Sequence, residues 1–426
     1  MIERKFTALR GLIQVKHGFP FKGEHFESSG RYVVLTPGNF YERGGFKRNA
    51  EKDKCYSESF PNEYLLKKGD FLVAMTEQTD GLLGSMAIIP DNDRFLHNQR
   101  LGLVRALTND VDVEFLYHLF KTKSVREQIR RSASGSKVKH TSPERIYDVQ
   151  VQLPSSREQV AIARLLSTLD AKIETNNRIN DELERTAKLL YDYWFVQFDF
   201  PITAAQAAAM GKPRLEGNPY QSSGGPMVYR PELKREIPAS WTVKPLFDAM
   251  DIQYGFPFSK KQFTTEITAV PVVRIRDILD NSISLYTTQQ VDAKYRLKCN
   301  DLVVGMDGIF HVNFWDKEGS YLNQRSVRMR AKENSPISSF QAYFELSPYM
   351  RAREKNISRT TVGHLSDKDL KRLHLLSPET SREFDPRTTF DLHLSTITHN
   401  RVQNQELATI RDWLLPMLMN GQVTVG

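Results

Sequence analysis

The side chains in this sequence that are best suited to chemistry are basic groups in and before a loop that contains a glycine. They are Arg130, Arg131, Lys137, Lys139 and His140. Guanidinium and ammonium groups on a flexible segment can contact phosphate oxygens without reading a base sequence. A solvated helix end followed by a loop explains any one of these residues equally well. The pattern therefore leaves two interpretations, a polyanion-binding loop and an ordinary polar surface.

A second set of basic residues lies later in the chain. It comprises Arg325, Arg353, Arg359 and His364. Arg325 ends the triplet Asn-Gln-Arg, and the same triplet ends earlier at Arg100. Arginine is suited to guanine edges, but two regions that read different sequences should differ at their reading residues. We therefore expect Arg100 and Arg325 to serve as framework or to contact a nucleic-acid backbone. His140 and His364 recur at equivalent places, where a hydrogen-bonded structural histidine is a better interpretation than a catalytic base.

No catalytic motif accompanies these basic residues. The sequence has no Walker loop, dinucleotide fingerprint, HExxH or GxSxG motif. Asn218-Pro219-Tyr220 is similar to a motif that holds a flipped adenine in amino-methyltransferases. It lacks the second proline and lies in a segment rich in glycine and proline, so we interpret it as a turn. Cys55 and Cys299 have neither disulfide nor metal spacing. We predict no catalytic residue and no metal site in this chain.

The elements that must position the basic residues occur twice. Gly18-Phe19-Pro20-Phe21 returns as Gly255-Phe256-Pro257-Phe258. Other segments recur in the same order: Asp70 to Met75 as Asp301 to Met306, Asn98 to Arg100 as Asn323 to Arg325, His140 as His364, Pro154 as Pro378, and Asn180 to Leu183 as Asn404 to Leu407. A repeat of this length is a duplicated domain, which predicts approximate twofold symmetry. The Gly-Phe-Pro-Phe segments are expected to be turns with buried rings rather than wedges between bases.

Each copy begins with short apolar runs bounded by turn residues, which predicts strands, and continues into a helix. The fold class is therefore α+β, with two mixed, strand-rich domains at residues 1–153 and 237–377. Long helices are predicted within 154–199 and 378–426. Proline and glycine between them predict that residues 200–236 form a linker that crosses the surface.

The two long helices carry an apolar seam whose positions step by three and four. Its members include Leu166, Leu169, Ile173, Asn176, Asn180, Leu183, Ala187 and Leu190 in the first helix, and Ile397, Asn400, Asn404, Leu407, Arg411 and Leu414 in the second. This spacing is typical of a coiled coil. If the twofold holds, the helices run antiparallel, with Asn176 facing Asn404 and Asn180 facing Asn400. The alternative is that these asparagines lie on the surface of helices that pack elsewhere.

Composition is compatible with a nucleic-acid partner. The 426 residues have a net charge of +8, and the basic residues are interspersed with 24 Phe and 16 Tyr. A folded, basic surface is typical of polyanion binding, although this excess is modest. No apolar run is long enough to span a bilayer, so no membrane partner is predicted. The free cysteines fit a reducing compartment, and we expect a cytoplasmic protein.

At the level of motifs the chain resembles the specificity subunits of type I restriction-modification systems. The residues that carry the likeness are Leu169-Asp170-Ala171-Lys172-Ile173, Asn176-Asn177-Arg178-Ile179-Asn180, Tyr193-Trp194-Phe195-Val196-Gln197-Phe198, Asn404-Gln405-Glu406-Leu407 and Arg411-Asp412-Trp413-Leu414-Leu415-Pro416. The second copy departs from the pattern after Pro378, where Ser381-Arg382-Glu383-Phe384 replaces a Glu-Gln pair. The start of the second long helix is therefore left open.

The resemblance implies a function and a set of partners. Such subunits hold two target recognition domains apart on an antiparallel pair of helices and bind double-stranded DNA at a two-part sequence. They assemble with two modification subunits, which use S-adenosylmethionine to methylate adenine, and with restriction subunits, which use ATP and Mg²⁺. The specificity chain itself would hold no cofactor and perform no reaction. The alternatives are a DNA-binding adaptor of another defence or chromosome-associated complex, and a self-sufficient methyltransferase or nuclease, whose ligands are not found.

Overall fold

The computed structural model describes residues 6–48, 52–77, 81–355 and 363–425. The chain groups into two compact units. Unit 1 comprises Met1–Lys172 and Leu407–Gly426, and unit 2 comprises Ile173–Glu406. Each long helix contributes residues to both units.

The strands of unit 1 are short. They are β1 (Phe6–Ala8), β2 (Ile13–His17), β3 (Phe26–Glu27), β4 (Tyr32–Val34), β5 (Lys54–Tyr56), β6 (Phe71–Ala74), β7 (Thr76–Glu77), β8 (Met86–Ile88), β9 (Phe95–Leu96), β10 (Leu101–Ala106), β11 (Lys139–His140) and β12 (Gln150–Gln152). The strands of unit 2 are β13 (Met227–Arg230), β14 (Arg235–Pro238), β15 (Thr242–Pro245), β16 (Met250–Tyr254), β17 (Phe263–Thr264), β18 (Val270–Val273), β19 (Tyr286–Thr287), β20 (Leu302–Gly305), β21 (Val312–Phe314), β22 (Tyr321–Leu322), β23 (Ser326–Ala331) and β24 (His374–Ser377).

The helices range from one turn to about ten. They are α1 (Val113–Lys121), α2 (Lys123–Arg131), α3 (Pro143–Tyr147), α4 (Ser156–Tyr191), α5 (Ala204–Ala209), α6 (Leu246–Ala249), α7 (Ile275–Ile278), α8 (Ser339–Lys355), α9 (Asp367–Lys371) and α10 (Pro386–Met419). A π-helical turn, Asp192–Val196, follows α4.

The same sheet topology occurs once in each unit, as the sequence repeat predicts. Unit 1 has four-stranded sheets in the orders β2-β10-β6-β8 and β3-β5-β4-β9, and β1 pairs with β12. Unit 2 has the orders β16-β23-β20-β21 and β17-β19-β18-β22, and β15 pairs with β24. The strands of these sheets keep their places, which confirms two strand-rich domains in an α+β fold.

The central strand β6 shows how each unit forms its core. All four of its residues are buried because both faces of its sheet are covered. Phe71 and Val73 pack on the side of α1, whereas Leu72 and Ala74 pack against the second sheet. Side chains alternate between the two faces of a strand, so one short strand contributes to two apolar layers.

The prediction of a surface linker at residues 200–236 is wrong in one respect, because aromatic residues anchor this segment in the core of unit 2. Phe200 and Tyr220 are 0% and 2% exposed, and the ring of Phe200 stacks on Tyr220 and on Trp241 at centroid distances of 4.7 and 4.8 Å. The segment also forms α5 and most of a β13–β14 hairpin. The prolines interrupt regular structure, as predicted, but they do not keep the chain at the surface. Burial of Tyr220 also explains the Asn-Pro-Tyr triplet as structural.

The start of the second long helix, which the sequence leaves open, lies at Pro386. In unit 1 the buried Gln159 near the start of α4 donates from Nε2 to the carbonyl oxygen of Asp110, after β10, at 2.8 Å. In unit 2 Arg387 donates from Nη1 to the carbonyl oxygens of Lys332 and Glu333, after β23, at 2.8 Å each. A different residue thus makes the equivalent link between helix and sheet.

Candidate nucleic-acid interface

The two repeated motifs of each unit contact each other. Phe19 forms a parallel bridge with Asn98 in unit 1, and Phe256 forms the same bridge with Asn323 in unit 2. The glycine before each phenylalanine allows this contact. A Cβ atom on Gly18 would lie 2.1 Å from the carbonyl oxygen of Asn98, and one on Gly255 would lie 1.9 Å from that of Asn323. These distances are far below van der Waals contact, so the repeated glycines are required by packing.

The rings of the same motif pack on each other: Phe21 and Phe258 are buried, and Phe19 and Phe256 are half-buried. Phe21 and Phe258 are each 8% exposed. Phe19 and Phe21 make an edge contact at 5.1 Å, and Phe256 and Phe258 repeat it at the same distance. The Gly-Phe-Pro-Phe segments are therefore structural turns, as predicted.

One methionine in each unit brings the predicted arginine and histidine to the same place. The backbone N–H of Met75 donates to the carbonyl oxygen of Arg100 at 2.9 Å, and the Met75 carbonyl accepts from the N–H of Thr141, which follows His140, at 2.9 Å. Met306 repeats the arrangement with Arg325 at 2.9 Å and with Leu365, which follows His364, at 2.8 Å. Residues far apart in sequence thus share one site in each unit, here called the Met75 site and the Met306 site.

In unit 1 a buried carboxylate lies under the basic residues. Glu77 is 3% exposed, and its Oε2 atom accepts from the backbone N–H groups of Gly81 at 3.1 Å and Leu83 at 2.7 Å. Its Oε1 atom lies 3.7 Å from Nη2 of Arg130 and 3.8 Å from Nζ of Lys139. Both cations keep about 40% of their side chains exposed. The charges of Arg130 and Lys139 are therefore partly neutralised by Glu77, but both side chains remain accessible to a polyanion.

The other predicted residues of unit 1 lie at the surface. Arg131 is 80% exposed and its Nη2 atom lies 3.4 Å from Glu127 Oε2. Arg100, Lys137 and His140 are exposed. The backbone groups of His140 pair with those of Ser134, with N–O distances of 2.8 and 2.9 Å, so the loop between them is closed at its base.

In unit 2 the carboxylate at the site is Asp307, which follows Met306. Its Oδ2 atom accepts from Nη1 of Arg325 at 2.6 Å, and its Oδ1 atom lies 2.5 Å from Nδ1 of His364. Arg353 donates from Nη2 to the carbonyl oxygen of His364 at 3.2 Å and to Asp369 at 2.8 Å. Arg359, the remaining predicted residue, lies outside the described residues. The predicted basic residues of unit 2 that are described thus form one connected network.

Sequence reasoning missed the acidic residues of both sites. Glu77 and Asp307 escaped notice because the repeat is defined by residues that are identical in the two copies, and these acids are not shared. A comparison of the positions at which the two copies differ could have found Asp307. It occupies the place of Thr76, directly after the repeated methionine. Strand pairing confirms the equivalence, because Thr76 pairs with His140 as Asp307 pairs with His364.

The asparagines of the helix seam pair within unit 2. Nδ2 of Asn176 donates to Oδ1 of Asn404 at 2.9 Å, and Nδ2 of Asn400 donates to Oδ1 of Asn180 at 2.9 Å. These are the two pairs that the antiparallel register predicts. The seam residues are all buried or half-buried, with Leu166 in the core of unit 1 and Ile397 in that of unit 2. Leu169, Ile173, Leu183, Leu190, Leu407 and Leu414 are the half-buried apolar members.

A polar cluster ties both long helices to α1 within unit 1. Asp170 accepts from Nζ of Lys121 at 2.8 Å and from Nη1 of Arg411 at 2.7 Å. Burial raises the pKa of Asp170, but the two cations outweigh burial and hold the pKa below its usual range. Nearby, Nε2 of His118 lies 2.9 Å from Oγ of Ser167, and burial, aided by the charge of Lys121, lowers the pKa of His118 to about 3. The cluster holds a charged carboxylate and a neutral histidine at neutral pH.

Two negative findings concern the described part of the chain. No group of histidine, cysteine, aspartate and glutamate side chains in it is arranged to hold a metal ion. None of its helices is both long and apolar enough to span a membrane. Cys55 and Cys299 are free thiols.

Comparison with known proteins identifies the family. The family model described as the type I restriction modification DNA specificity domain matches residues 1–185 and 238–383. The chain is 24% identical over 330 residues to the specificity subunit of the type I restriction enzyme MjaIX of Methanocaldococcus jannaschii, covering 73% of this chain and 69% of the relative. It is 24% identical over 411 residues to the HindI specificity subunit of Haemophilus influenzae, covering 84% and 87%.

A solved structure shares the fold. The crystal structure of the S subunit of a type I restriction-modification system from M. genitalium superimposes with a TM-score of 0.63 at 16% identity, covering 98% of this chain and 97% of that one. The matches on both copies cover most of the sequence. This chain therefore belongs to the family of type I restriction-modification specificity subunits, the DNA-recognition subunits of these systems.

Proposed function

We propose that each unit of this chain reads one half of a two-part double-stranded DNA sequence. The observation that carries the proposal is the duplicated fold with different side chains at equivalent positions. The Met75 and Met306 sites have the same backbone framework, but one has Thr76 where the other has Asp307. A shared framework with different side chains suits two related readers of unlike sequences.

The chain acts as a non-catalytic member of a larger complex. Two modification subunits bind it and methylate adenine with S-adenosylmethionine, and restriction subunits add ATP- and Mg²⁺-dependent cleavage. The chain itself contributes binding residues and no cofactor site. In this proposal the complex works in the cytoplasm, where it has access to DNA.

Basic residues at both sites supply affinity that does not depend on sequence. Lys137, Arg131 and Arg100 are exposed near the Met75 site, and Arg353 lies beside the Met306 site. Such groups neutralise phosphates and position the protein on the duplex. Sequence then has to be read by groups that reach base edges.

A map of N6-methyladenine in cells tests the proposal. Cells that express the chain with its modification subunits should methylate adenine at one two-part motif, and cells without the chain should lose that methylation. The purified chain alone should transfer no methyl group to DNA. Methyl transfer by the chain alone, or a continuous motif with no unread spacer, would contradict the proposal.

A further inference from the structure

We propose that unit 2 reads a guanine of its half-site through Arg325, and that Asp307 sets this preference by holding the guanidinium in one orientation. This inference rests on the proposed function and adds the base and the residues that recognise it. From the sequence, Arg325 was expected to be framework or to contact the nucleic-acid backbone, because both copies contain it. In the structure, however, the two copies differ in the residue that lies at the place beside this arginine.

Arg325 has donors available for a base. Its side chain is 60% exposed, and within the described residues its side-chain partner is Asp307, reached through Nη1 at 2.6 Å. Nε and Nη2 are the remaining donors of the planar group. Guanine presents two acceptors, O6 and N7, in the major groove, and a guanidinium can donate to both at once.

Asp307 is itself held from two directions. Its second oxygen lies 2.5 Å from Nδ1 of His364, and its side chain is only 20% exposed. The backbone beside it is fixed by the hydrogen bonds of Met306 to Arg325 and Leu365. A carboxylate placed this firmly restricts the arginine before DNA arrives, which favours a directed contact over a mobile one.

The same carboxylate argues against a phosphate as the partner of Arg325. Asp307 cancels much of the positive charge of the guanidinium and would repel an approaching phosphate. A base edge carries no net charge, so Asp307 does not repel it as it would repel a phosphate. Phosphate contacts are better served by exposed cations such as Lys137.

Unit 1 provides the contrast within one molecule. Arg100 occupies the place of Arg325 on the same backbone framework, but Thr76 stands where Asp307 would be. A threonine hydroxyl cannot form an ion pair, so it does not fix Arg100 in the same way. The two units therefore present the same arginine with and without this neighbouring carboxylate.

The test is a methylation map for three variants of the chain, each expressed with its modification subunits. Arg325→Lys keeps the charge but removes the two-donor fork. We expect discrimination for one guanine, in one half of the motif, to fall about tenfold or more, with the other half unchanged. Asp307→Thr, which copies the residue of unit 1, should weaken discrimination at the same guanine. Arg100→Lys is the matched control and should leave that guanine unchanged.

The alternative outcomes are distinct. An Arg325→Lys variant that methylates as the wild type does, or one that loses methylation equally at every sequence, overturns the inference while the proposed function stands. A wild-type motif without a required guanine overturns it as well. If the wild-type complex does not methylate adenine at a two-part motif, the result contradicts the proposed function itself. Unchanged midpoints of thermal unfolding for all variants ensure that altered discrimination is not misfolding.

Discussion

At the scale of the residue, single glycines decide whether the repeated motifs of a unit can pack together. Gly18→Ala places a methyl group 2.1 Å from the carbonyl oxygen of Asn98. We expect unfolding free energy to fall by more than about 1 kcal/mol, because backbone must move to relieve the overlap. Gly23→Ala is the matched control, since a Cβ atom there meets nothing within 4 Å. Equal unfolding midpoints for the two variants would contradict the packing argument.

Residue-scale chemistry also predicts how stability depends on pH. Burial lowers the pKa of His118 from an ordinary value of about 6.5 to about 3, so the unfolded chain binds the proton more tightly than the folded one. Its stabilising contribution is complete above pH 6.5 and is lost as the pH falls towards 3. Because of this one group, the free energy of unfolding should be about 2 kcal/mol lower at pH 5 than at pH 7.5.

Denaturation of wild type and His118→Gln at the two pH values measures this cost. The variant should lose less stability between pH 7.5 and pH 5 than the wild type loses. His399→Gln, at an exposed position on α10, is the control variant. If His118→Gln behaves like His399→Gln, the buried histidine is not responsible.

Two loop lysines should contribute affinity without specificity. Lys137→Ala combined with Lys139→Ala should weaken binding to all duplexes and reduce the slope of log K against log salt by about 1 for each phosphate that the variant no longer neutralises. Lys212→Ala, an exposed lysine after α5, is the control. A changed recognition motif in the double variant would mean that these lysines read bases.

At the scale of the element, the stability of the helix pair depends on the seam residues that it buries and not on the exposed residues between them. Leu183 is half-buried against the core of unit 2, whereas Leu189 on the same helix is 63% exposed. Leu183→Asp should lower the unfolding free energy by at least about 2 kcal/mol, because a carboxylate there loses water without gaining a partner. Thermal unfolding compares it with Leu189→Asp, which should be close to wild type. Similar losses for both would show that the seam is placed wrongly.

How far sequence predicts structure also differs from element to element. The register of the seam predicts the pairing of Asn176 with Asn404, because helical periodicity is a local property. The burial of Phe200 and Tyr220 was not predictable, since proline and glycine indicate turns but not what a turn packs against. The acid beside Arg325 was not predictable either. Asp307 lies beside Arg325 and His364 because strand pairing and backbone hydrogen bonds bring together residues that are far apart in the sequence.

At the scale of the whole molecule, two readers in one chain should bind two half-sites more tightly than one. A duplex with both halves converts the second contact into an intramolecular one, which raises affinity by about 100-fold or more. Fluorescence anisotropy of the assembled complex on full and half-site duplexes measures the gain. Changing the spacer sequence at constant length should leave the affinity unchanged. Equal affinity for half-site and full duplexes would show that only one unit engages DNA.

The division of each long helix between the units has a consequence for biosynthesis. Unit 2 is one continuous stretch of chain, whereas the core of unit 1 contains Leu418 and Met419, which the ribosome adds after all of unit 2. The first part of unit 1 is synthesised before unit 2, but its core is incomplete until the last turns of α10 leave the ribosome. Until then, apolar surface of unit 1 stays exposed. Nascent chains that stop before residue 418 should therefore carry a folded second unit and an incomplete first one, and chaperones should bind the amino-terminal half during this interval.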